Sequence, residues 1–418
     1  MSRLIFHIDA NSAYLSWEAS YRLQQGEKLD LRTVPSVIGG DEESRHGIVL
    51  TKSIPAKKFN IKTGETLYNA RAKCPGLVVV PPRYWLYMKC SSAMNKIFQE
   101  YTPQIQRFSV DESFLDFSNM EHLYPDYMVL AETISERIKK ELGFTVNIGI
   151  SNNKLLAKIA SDFKKPDKIH TLFPHEIKKK MWPLPVEDLF MVGRATAPKL
   201  HNLNINTIGD LANYDLETLK YKLKSHGQVI WNFANGIEFS EVRKSNYIQM
   251  KGIGNSTTIR FDVEDKDTAH KVLLSLCETV AMRLRDSQNC CTVVSISVRG
   301  SDLIFYSRQK KLEVATDSTR RIYEIACYLF DNVWKGNAIR QLGIHITGFC
   351  GNDFYQCSLL DTFNYEKDRE INKTIDELRV KFGSAIIVKS CFLHSGLSAM
   401  CGGMADGEDD YPLMSAML

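Results

Sequence analysis

Short apolar runs alternate with stretches of helical length through the first 170 residues of this 418-residue chain, and this alternation constrains the fold most strongly. Strands that alternate with helices form a layered sheet with helices packed on it. The pattern therefore predicts a mixed α/β domain. Its expected strands are residues 4–9, 47–53, 77–81, two short strands within 107–117, and 145–151, and its expected helices are residues 11–25, 84–101 and 127–142.

Two later parts of the chain show different patterns. Residues 172–240 are helical, and within them two helical stretches in residues 189–212 are joined by a short turn. The α/β pattern returns from about residue 251 to residue 348, so the chain is predicted to be a multidomain α/β (α+β) protein. The expected elements here are strands at 291–298 and 342–347 and helices at 268–286, 317–334 and 365–382, before an irregular end.

The distribution of charge favours a polyanionic partner. The formal net charge is +4, but residues 390–418 carry −4, so residues 1–389 carry +8. Basic side chains are concentrated in residues 154–180 and 299–321. A single charged stretch is usually a solvated face. Two basic stretches in one chain point to a partner such as nucleic acid.

The chain has no signal for a membrane or for secretion. No window approaches about 18 consecutive apolar residues, and the first apolar stretch contains Asp9 and lacks a small-residue cleavage site. The ten cysteines are scattered without a C-x-x-C pair. We therefore expect an intracellular protein with reduced thiols, without a zinc site or a disulfide framework.

Two acidic sites are candidates for chemistry. Asp9 ends the first apolar strand, and Asp111 and Glu112 lie between two strand-like halves. Carboxylates buried together need a cation, and Mg²⁺ prefers such hard oxygen ligands. Two ions about 4 Å apart could activate a 3′-hydroxyl and stabilise pyrophosphate. Neighbours on a regular strand face opposite ways, so Asp111 and Glu112 converge only if the backbone turns there. Three unrelated surface acids remain the alternative.

Lysines and a helical hairpin accompany these acids. The segments 55–59 (PAKKF) and 164–167 (KKPD) could supply the cations that a polyphosphate substrate needs, although surface Lys pairs are common. Residues 189–212 fit a helix-hairpin-helix, with Gly193 and Gly209 at helix boundaries. Its turn exposes backbone N–H groups that suit a phosphate and read no base. An ordinary αα-hairpin is the alternative.

Several motifs, in this order and at these separations, resemble the Y-family translesion DNA polymerases, most closely their bacterial UmuC-like branch. The resemblance covers about 350 residues or more, and residues 251–262 (KGIGNSTTIRFD) with the stretch to about 348 resemble the family's little finger. The other motifs are HIDANSAYLSWE (7–18), SIPAKKFNIKTGE (53–65), FSVDESFLDF (108–117), GISNNKLLAKIASDFKKPDKI (149–169) and VGRATAPKLHNLNINTIGDLA (192–212).

The resemblance implies a right-hand polymerase with a ferredoxin-like palm, small fingers, a helix-hairpin-helix thumb and an α/β little finger. It also implies low fidelity and low processivity. The implied divisions are a palm at 1–171 with a fingers insert at about 12–79, a thumb at 172–240, a little finger at 250–350 and a C-terminal extension at 351–418.

The resemblance also assigns roles to residues. Ile54 stands where many members have a Tyr, which UmuC-like members often lack as well, and Met191 replaces a common Gly of the thumb hairpin. By resemblance, the metal ligands are Asp9, Asp111, Glu112 and the Ala10 carbonyl, the steric gate against ribonucleotides is Tyr14, the triphosphate contacts are Lys57 and Lys165, and the DNA-backbone contact is Gly193.

The implied cofactors are two Mg²⁺ ions, with Mn²⁺ as a substitute, and the implied substrates are primer–template DNA and deoxynucleoside triphosphates. Residues 356–360 (QCSLL) resemble a peptide that binds the bacterial sliding clamp through Gln356, Leu359 and Leu360; a core-capping apolar patch is the alternative. A UmuD-like subunit or a recombinase filament is a further expected partner. The expected setting is the nucleoid-associated bacterial cytoplasm, in SOS-type mutagenesis.

Two rival functions remain at this point. A degenerate polymerase could act as a non-enzymatic DNA-binding accessory, but it would have no reason to keep the acidic trio of Asp9, Asp111 and Glu112. A nucleotide cyclase could use a similar palm, but it would need neither the hairpin module nor a basic little finger. We therefore predict a DNA-directed DNA polymerase.

Overall fold

A computed structural model of the chain describes residues 3–43, 45–243, 250–352 and 365–401. The described residues divide into two compact units, one of residues 3–39 and 49–243 and one of residues 40–43, 45–48, 250–352 and 365–401. The predicted boundaries of palm, fingers, thumb and little finger stay predictions, because compactness separates only these two units.

The first unit contains eight strands and eleven helices among its described residues. The strands are β1 (Ile5–Ala10), β2 (Ser36–Gly39), β3 (Val49–Lys52), β4 (Val78–Val80), β5 (Ile105–Arg107), β6 (Glu112–Asp116), β7 (Val146–Ser151) and β8 (Ile169–Thr171). The helices are α1 (Ala13–Gln24), α2 (Ile54–Lys57), α3 (Leu67–Lys73), α4 (Tyr84–Gln99), α5 (Tyr127–Leu142), α6 (Lys154–Asp162), α7 (Ile177–Lys180), α8 (Ala197–His201), α9 (Ile208–Ala212), α10 (Leu216–Leu223) and α11 (Ser225–Ala234).

A five-stranded sheet of order β5-β6-β1-β7-β8 forms the centre of this unit, antiparallel except for the β7–β8 pair. Successive side chains of β1 alternate between the two faces. Phe6 and Ile8 are fully buried in a core shared with α1, α4 and α5. His7 and Asp9 therefore lie on the other face, where His7 Nδ1 is 2.7 Å from Ser161 Oγ of α6.

A separate three-stranded sheet of order β3-β2-β4 lies between α1 and α4 in the chain. Strand β2 pairs antiparallel with β3 and parallel with β4. Its small core includes Val37, Val49 and Leu67. Strand β2 was not predicted from the sequence, whereas β3 and β4 lie within the predicted runs.

Helices α7 to α11 pack on α6 through a continuous apolar core, which includes Leu156, Leu200, Leu211 and Ile230. The predicted pair of helical stretches is present as α8 and α9. The turn that precedes α8 contains Met191 with φ 75° and the exposed Gly193. This positive φ explains why glycine suits the Met191 position in such a turn.

The second unit is built on a four-stranded antiparallel sheet of order β11-β10-β12-β9. Helices α12 and α13 cover one of its faces, where Val294, Ile296 and Val298 are buried. The elements are β9 (Gly252–Val263), α12 (Lys266–Asp286), β10 (Asn289–Gly300), β11 (Phe305–Thr316), α13 (Thr319–Val333), β12 (Ile339–Gly351) and α14 (Tyr365–Phe382).

Helix α14 has the bounds that the sequence predicts, and it is held to α12 by one buried and one partly buried ion pair. Arg379 Nη1 lies 2.8 Å from Glu278 Oε2, and both side chains are less than a tenth exposed. Arg285 Nε lies 2.6 Å from Asp376 Oδ2. The stretch 365–401 is therefore part of the second unit's packed structure. Residues 356–360, the predicted clamp peptide, lie outside the described residues.

No helix in the described ranges is long and apolar enough to cross a membrane. Nine cysteines fall in those ranges, and all nine are free thiols.

Candidate active site

Asp9 and Glu112 face each other across the β1–β6 pair. They are directly opposite in the antiparallel register, which puts two side chains on the same face of the sheet within about 5 Å at Cβ. Asp111 precedes β6, where the backbone bends, and its carbonyl accepts a hydrogen bond of 3.0 Å from the Ala10 N–H. The turn on which convergence of the three acids depends is therefore present.

Two lysines neutralise these carboxylates. Lys165 pairs with Asp9 Oδ2, and its Nζ lies 2.8 Å from Asp162 Oδ1. Lys158, on α6, places its Nζ 2.8 and 2.7 Å from the two carboxylate oxygens of Glu112. Helix α6 packs on the face of β1 that carries Asp9. The ammonium groups of Lys158 on this helix and of Lys165 in the loop after it can therefore reach the acids.

Burial dominates the proton affinity of the two aspartates. It raises the pKa of Asp9 to about 7, although Lys165 opposes that shift. Burial likewise raises the pKa of Asp111, against a hydrogen bond of 2.6 Å from Ser109 Oγ. Asp9 is only 7% exposed. One lysine therefore does not fully offset the cost of burying this carboxylate.

Glu112 behaves differently. Burial alone would raise its pKa, but contacts with His7 and Lys158 hold the pKa well below its usual value. Burial and the charge of Lys158 lower the pKa of His7, so that imidazole is neutral near pH 7. We therefore attribute the ionised state of Glu112 mainly to Lys158. The site thus contains one carboxylate whose pKa is lowered beside two whose pKa values are raised.

The sequence did not single out His7, Ser109, Lys158 or Ser161, which surround the predicted acids. A signal was present in part. His7 precedes Asp9 by two residues, and alternate residues of a strand share a face. Lys158 shares its face of α6 with Ser161, because residues three apart on a helix are neighbours. What the sequence lacked was the packing of α6 against β1.

Tyr14 lies on the first turn of α1, directly after the Asp9 strand. Its ring stacks on the Tyr87 ring with centroids 4.4 Å apart and planes 9° apart. Trp17 and Tyr84 flank it at 6.0 and 6.3 Å between ring centroids. Tyr14 is only partly buried, so part of its side chain is accessible to solvent.

Two other predicted residues lie apart from the carboxylates. Lys57 is exposed at the end of α2, and no hydrogen bond or ion pair within the described ranges joins it to Asp9, Asp111 or Glu112. Gly193 is exposed before α8, and a Cβ added there would meet no atom within 4 Å. Both positions are open to a large ligand.

The carboxylates offer the hard oxygen ligands that divalent ions prefer. As placed, however, no three His, Cys, Asp or Glu side chains within the described ranges are grouped closely enough to hold a metal ion. The cations at Asp9 and Glu112 are instead the ammonium groups of Lys165 and Lys158. The donor chemistry fits divalent ions once these two lysines move aside.

Three family models match the chain. One described as the impB/mucB/samB family matches residues 8–162, and one for that family's C-terminal domain matches residues 250–359. A model described as the thumb domain of DNA polymerase-iota matches residues 187–238. Together they span both compact units.

Relatives match the chain nearly end to end. A DNA polymerase IV of Clostridium acetobutylicum is 49% identical over 393 residues, which cover 94% of this chain and 99% of that protein. A DNA polymerase IV 2 of Bacillus subtilis is 35% identical over 398 residues, covering 94% and 95%.

Solved structures share the fold. A Y-family DNA polymerase chimera of Dbh and Dpo4 gives a TM-score of 0.71 at 20% identity and covers 84% of this chain and 100% of that one. A ternary complex of Dbh gives a TM-score of 0.57 at 21% identity, covering 82% and 98%.

Proposed function

Since this chain belongs to the Y-family of DNA polymerases, within the DinB/UmuC superfamily, we propose that Asp9, Asp111 and Glu112 catalyse extension of a DNA primer past damaged template bases. It is a DNA-directed DNA polymerase, like the DNA polymerase IV to which it is 49% identical. The two rival functions, a non-enzymatic accessory and a nucleotide cyclase, are set aside because the relatives that match 94% of the chain are named DNA polymerases.

The observation that carries the proposal is the pairing of Asp9 with Glu112 across β1 and β6, with Asp111 at the adjoining bend. Three carboxylates on one edge of a buried sheet are costly to keep without cations. Here each of the two strand-borne acids has a lysine of its own. The arrangement supports a site that binds cations next to a polyphosphate substrate.

Polymerases of this family use divalent metals, and we propose two Mg²⁺ ions, replaceable by Mn²⁺, held by the three acids and the Ala10 carbonyl. Bound ions of this kind supply charge that activates a 3′-hydroxyl and offsets the leaving pyrophosphate. For the acids to ligate, Lys165 has to leave Asp9 and Lys158 has to leave Glu112. Both lysines are then free to pair with the phosphates of a bound nucleotide.

Two lysines are proposed to position the nucleotide. Lys165, once released from Asp9, contacts the triphosphate of a nucleotide bound beside the acids, and Lys57 offers a second, exposed ammonium group. Cations placed where charge develops on a leaving group lower the barrier. Tyr14 presents a ring held by Tyr87, which suits a rigid barrier to a 2′-hydroxyl.

Primer–template DNA is the proposed macromolecular substrate. The exposed Gly193 turn before α8 presents backbone amides without a side chain to obstruct a phosphate. Such contacts position the duplex without reading its sequence. Low sequence preference suits an enzyme that must act at any damaged site.

We propose that residues 356–360 bind the bacterial sliding clamp, although they lie outside the described residues. Changing Gln356, Leu359 and Leu360 together to Ala should remove clamp stimulation on long templates. Extension without the clamp should persist, because these residues follow the second unit's sheet and are remote in sequence from the acids. Loss of clamp-independent extension would show that the segment is structural instead.

The family resemblance also motivates a cellular setting. We propose a role in SOS-type mutagenesis in the bacterial cytoplasm near the nucleoid, with a UmuD-like subunit or a recombinase filament as an activating partner. A UmuD-like subunit or filament that stimulates extension in the purified system would support this; lack of any stimulation would contradict it.

The assignment of the acids is tested by Asp111→Asn. This change keeps the side-chain shape and the capacity to accept the Ser109 hydrogen bond, but it removes the negative charge. Primer extension with Mg²⁺ should fall by about 10³-fold or more, whereas duplex affinity should stay within a few-fold. Glu121→Gln, at an exposed carboxylate beyond β6, is the matched control and should extend normally. Near-normal extension by Asp111→Asn would overturn the assignment.

A further inference from the structure

Two cysteines face each other across the sheet of the second unit. Cys290 of β10 and Cys350 of β12 are direct partners in the antiparallel register, and both are free thiols. Opposite residues of an antiparallel pair have Cα atoms about 4.5–5.5 Å apart. A disulfide spans Cα separations of roughly 4.4–6.8 Å. These two strands therefore place two thiols at a separation that a disulfide can bridge.

The hydrogen bonds at the strand ends favour the wider of those separations. The Asn352 N–H donates to the Gln288 carbonyl at 3.3 Å, which continues the register of the Cys290–Cys350 pair. Hydrogen-bonded and non-hydrogen-bonded pairs alternate along antiparallel strands, so the cysteine pair, two residues away, is of the hydrogen-bonded type with Cα atoms about 5.5 Å apart. That distance is close to the commonest Cα separation in disulfides.

The two cysteine side chains also point to the same face of the sheet. The next pair along the strands, Cys291 and Phe349, packs in the apolar core that α12 and α13 cover. Successive residues of a strand alternate between faces, so Cys290 and Cys350 both lie on the other face. The Cys350 Sγ lies 3.9 Å from the Cys290 carbonyl oxygen. The Cys350 side chain therefore leans towards β10.

One thiol of the pair is accessible and the other is not. Cys350 is exposed, whereas Cys290 is only 4% exposed. Burial raises the pKa of the Cys290 thiol to about 12, so this thiol reacts slowly with an oxidant from solution. Redox-sensitive sites commonly combine an accessible cysteine with a second, resolving cysteine beside it. Cys350 and Cys290 match these two roles.

We propose that Cys350 and Cys290 form a reversible oxidation site for hydrogen peroxide. The Cys350 thiol attacks peroxide, the O–O bond breaks, and a sulfenic acid and one water form. The Cys290 thiol then attacks the sulfenic sulfur, the S–S bond forms, and the hydroxyl leaves with the Cys290 proton as a second water. Two thiols are thus oxidised to one disulfide while one peroxide is reduced to two waters.

The disulfide stops the oxidation of Cys350 at a stage that a thiol reductant reverses. An unpaired sulfenic acid instead goes on to the irreversible sulfinic and sulfonic acids. In the bacterial cytoplasm proposed above, thiols are kept reduced, so such a disulfide is transient. The pair therefore protects the end of β12 during exposure to peroxide, and this role does not depend on the polymerase activity.

The test treats the reduced full chain with hydrogen peroxide, blocks the remaining thiols with N-ethylmaleimide and maps the peptides by mass spectrometry without reduction. The wild type should give a linked Cys290–Cys350 peptide, which dithiothreitol separates. Cys290→Ala should lose the linked peptide and should accumulate Cys350 as sulfinic and sulfonic acids. Cys350→Ser changes only an exposed side chain and should also lose the linkage, so the result does not depend on how Cys290→Ala folds.

Cys391→Ser is the matched control. Cys391 is also exposed, but it lies in a short turn outside the strands, so its loss should leave the Cys290–Cys350 linkage unchanged.

Recovery of Cys290 and Cys350 as free, alkylated thiols while Cys391 is oxidised would overturn the inference. Linkage of Cys350 to Cys357 or to a second chain would also overturn it, because the strand register would then not determine the partner. Linkage that forms only when peroxide is added in urea would show that the folded sheet does not bring the two sulfurs together, with the same conclusion.

Discussion

At the level of single residues, charge compensation explains how the acidic site stays folded before any substrate arrives. Asp9 is almost fully buried, and Lys165 is its only ion-pair partner among the described residues. Glu112 has Lys158. Removing one member of a buried pair leaves an uncompensated charge, which is more costly than removing both. The same two lysines therefore stabilise the folded acidic site, and under the proposed function they become available to phosphate when the acids bind metal.

Tyr14 provides a prediction at this scale. Tyr14→Ala should raise incorporation of ribonucleotides relative to deoxynucleotides about tenfold or more, because it removes a ring that is braced by Tyr87. Tyr14→Phe keeps that ring and is the matched control. Single-nucleotide incorporation with paired ribo- and deoxynucleotides measures the ratio. Equal sugar selectivity in the wild type and Tyr14→Ala would show that Tyr14 is only a packing residue.

The sequence singled out the three acids but not their neighbours. Asp9 ends an apolar run, Asp111 and Glu112 lie between two strand-like halves, and the catalytic roles that the family resemblance gives them stay predictions. Lys158 and His7 could not be singled out, because their contacts with Glu112 require α6 to pack on one particular face of β1. No local pattern states which face that is.

At the level of elements, the close packing of α6 on β7 determines where Lys158 and Lys165 can reach. Gly149 of β7 makes this approach possible, since a Cβ there would lie 1.9 Å from the Ala157 carbonyl oxygen and 2.4 Å from the Ser161 nitrogen. Both are backbone atoms of α6, so neither can move without shifting the helix.

Gly149→Ala should therefore destabilise the first unit by about 1–3 kcal/mol or more and reduce extension. Gly76→Ala is the matched control, because a Cβ at Gly76 meets nothing within 4 Å and its backbone does not require glycine. Urea unfolding of the two variants gives the comparison. Equal midpoints for both would mean that α6 and β7 are not in close contact.

Strand β11 shows why part of the second unit's sheet was not predicted from the sequence. Five consecutive residues of β11, 307–311, are all exposed, because β11 is an edge strand with one open face. Its basic side chains thus indicated charge but gave no alternation of apolar and polar residues.

Helix α14 was predicted with its observed bounds, since residues 365–382 are rich in helix formers.

At the level of the whole molecule, the comparisons confirm the predicted Y-family membership, the polymerase class and the mixed α/β fold of that family. Relatives match the chain almost from end to end, and the matching solved structures cover more than four-fifths of it. The C-terminal stretch 365–401 adds a helix fastened by the buried Arg379–Glu278 pair. That stretch binds to the second unit, so it is not a loose tail.

The central claim, that this chain synthesises DNA past damage, is tested most directly by primer extension on two templates that differ only in one abasic site. With Mg²⁺ and all four deoxynucleotides, the wild type should extend fully on the undamaged template and should also yield products longer than the lesion position on the other. Products that end one nucleotide before the abasic site, with full extension of the undamaged template, would contradict translesion synthesis.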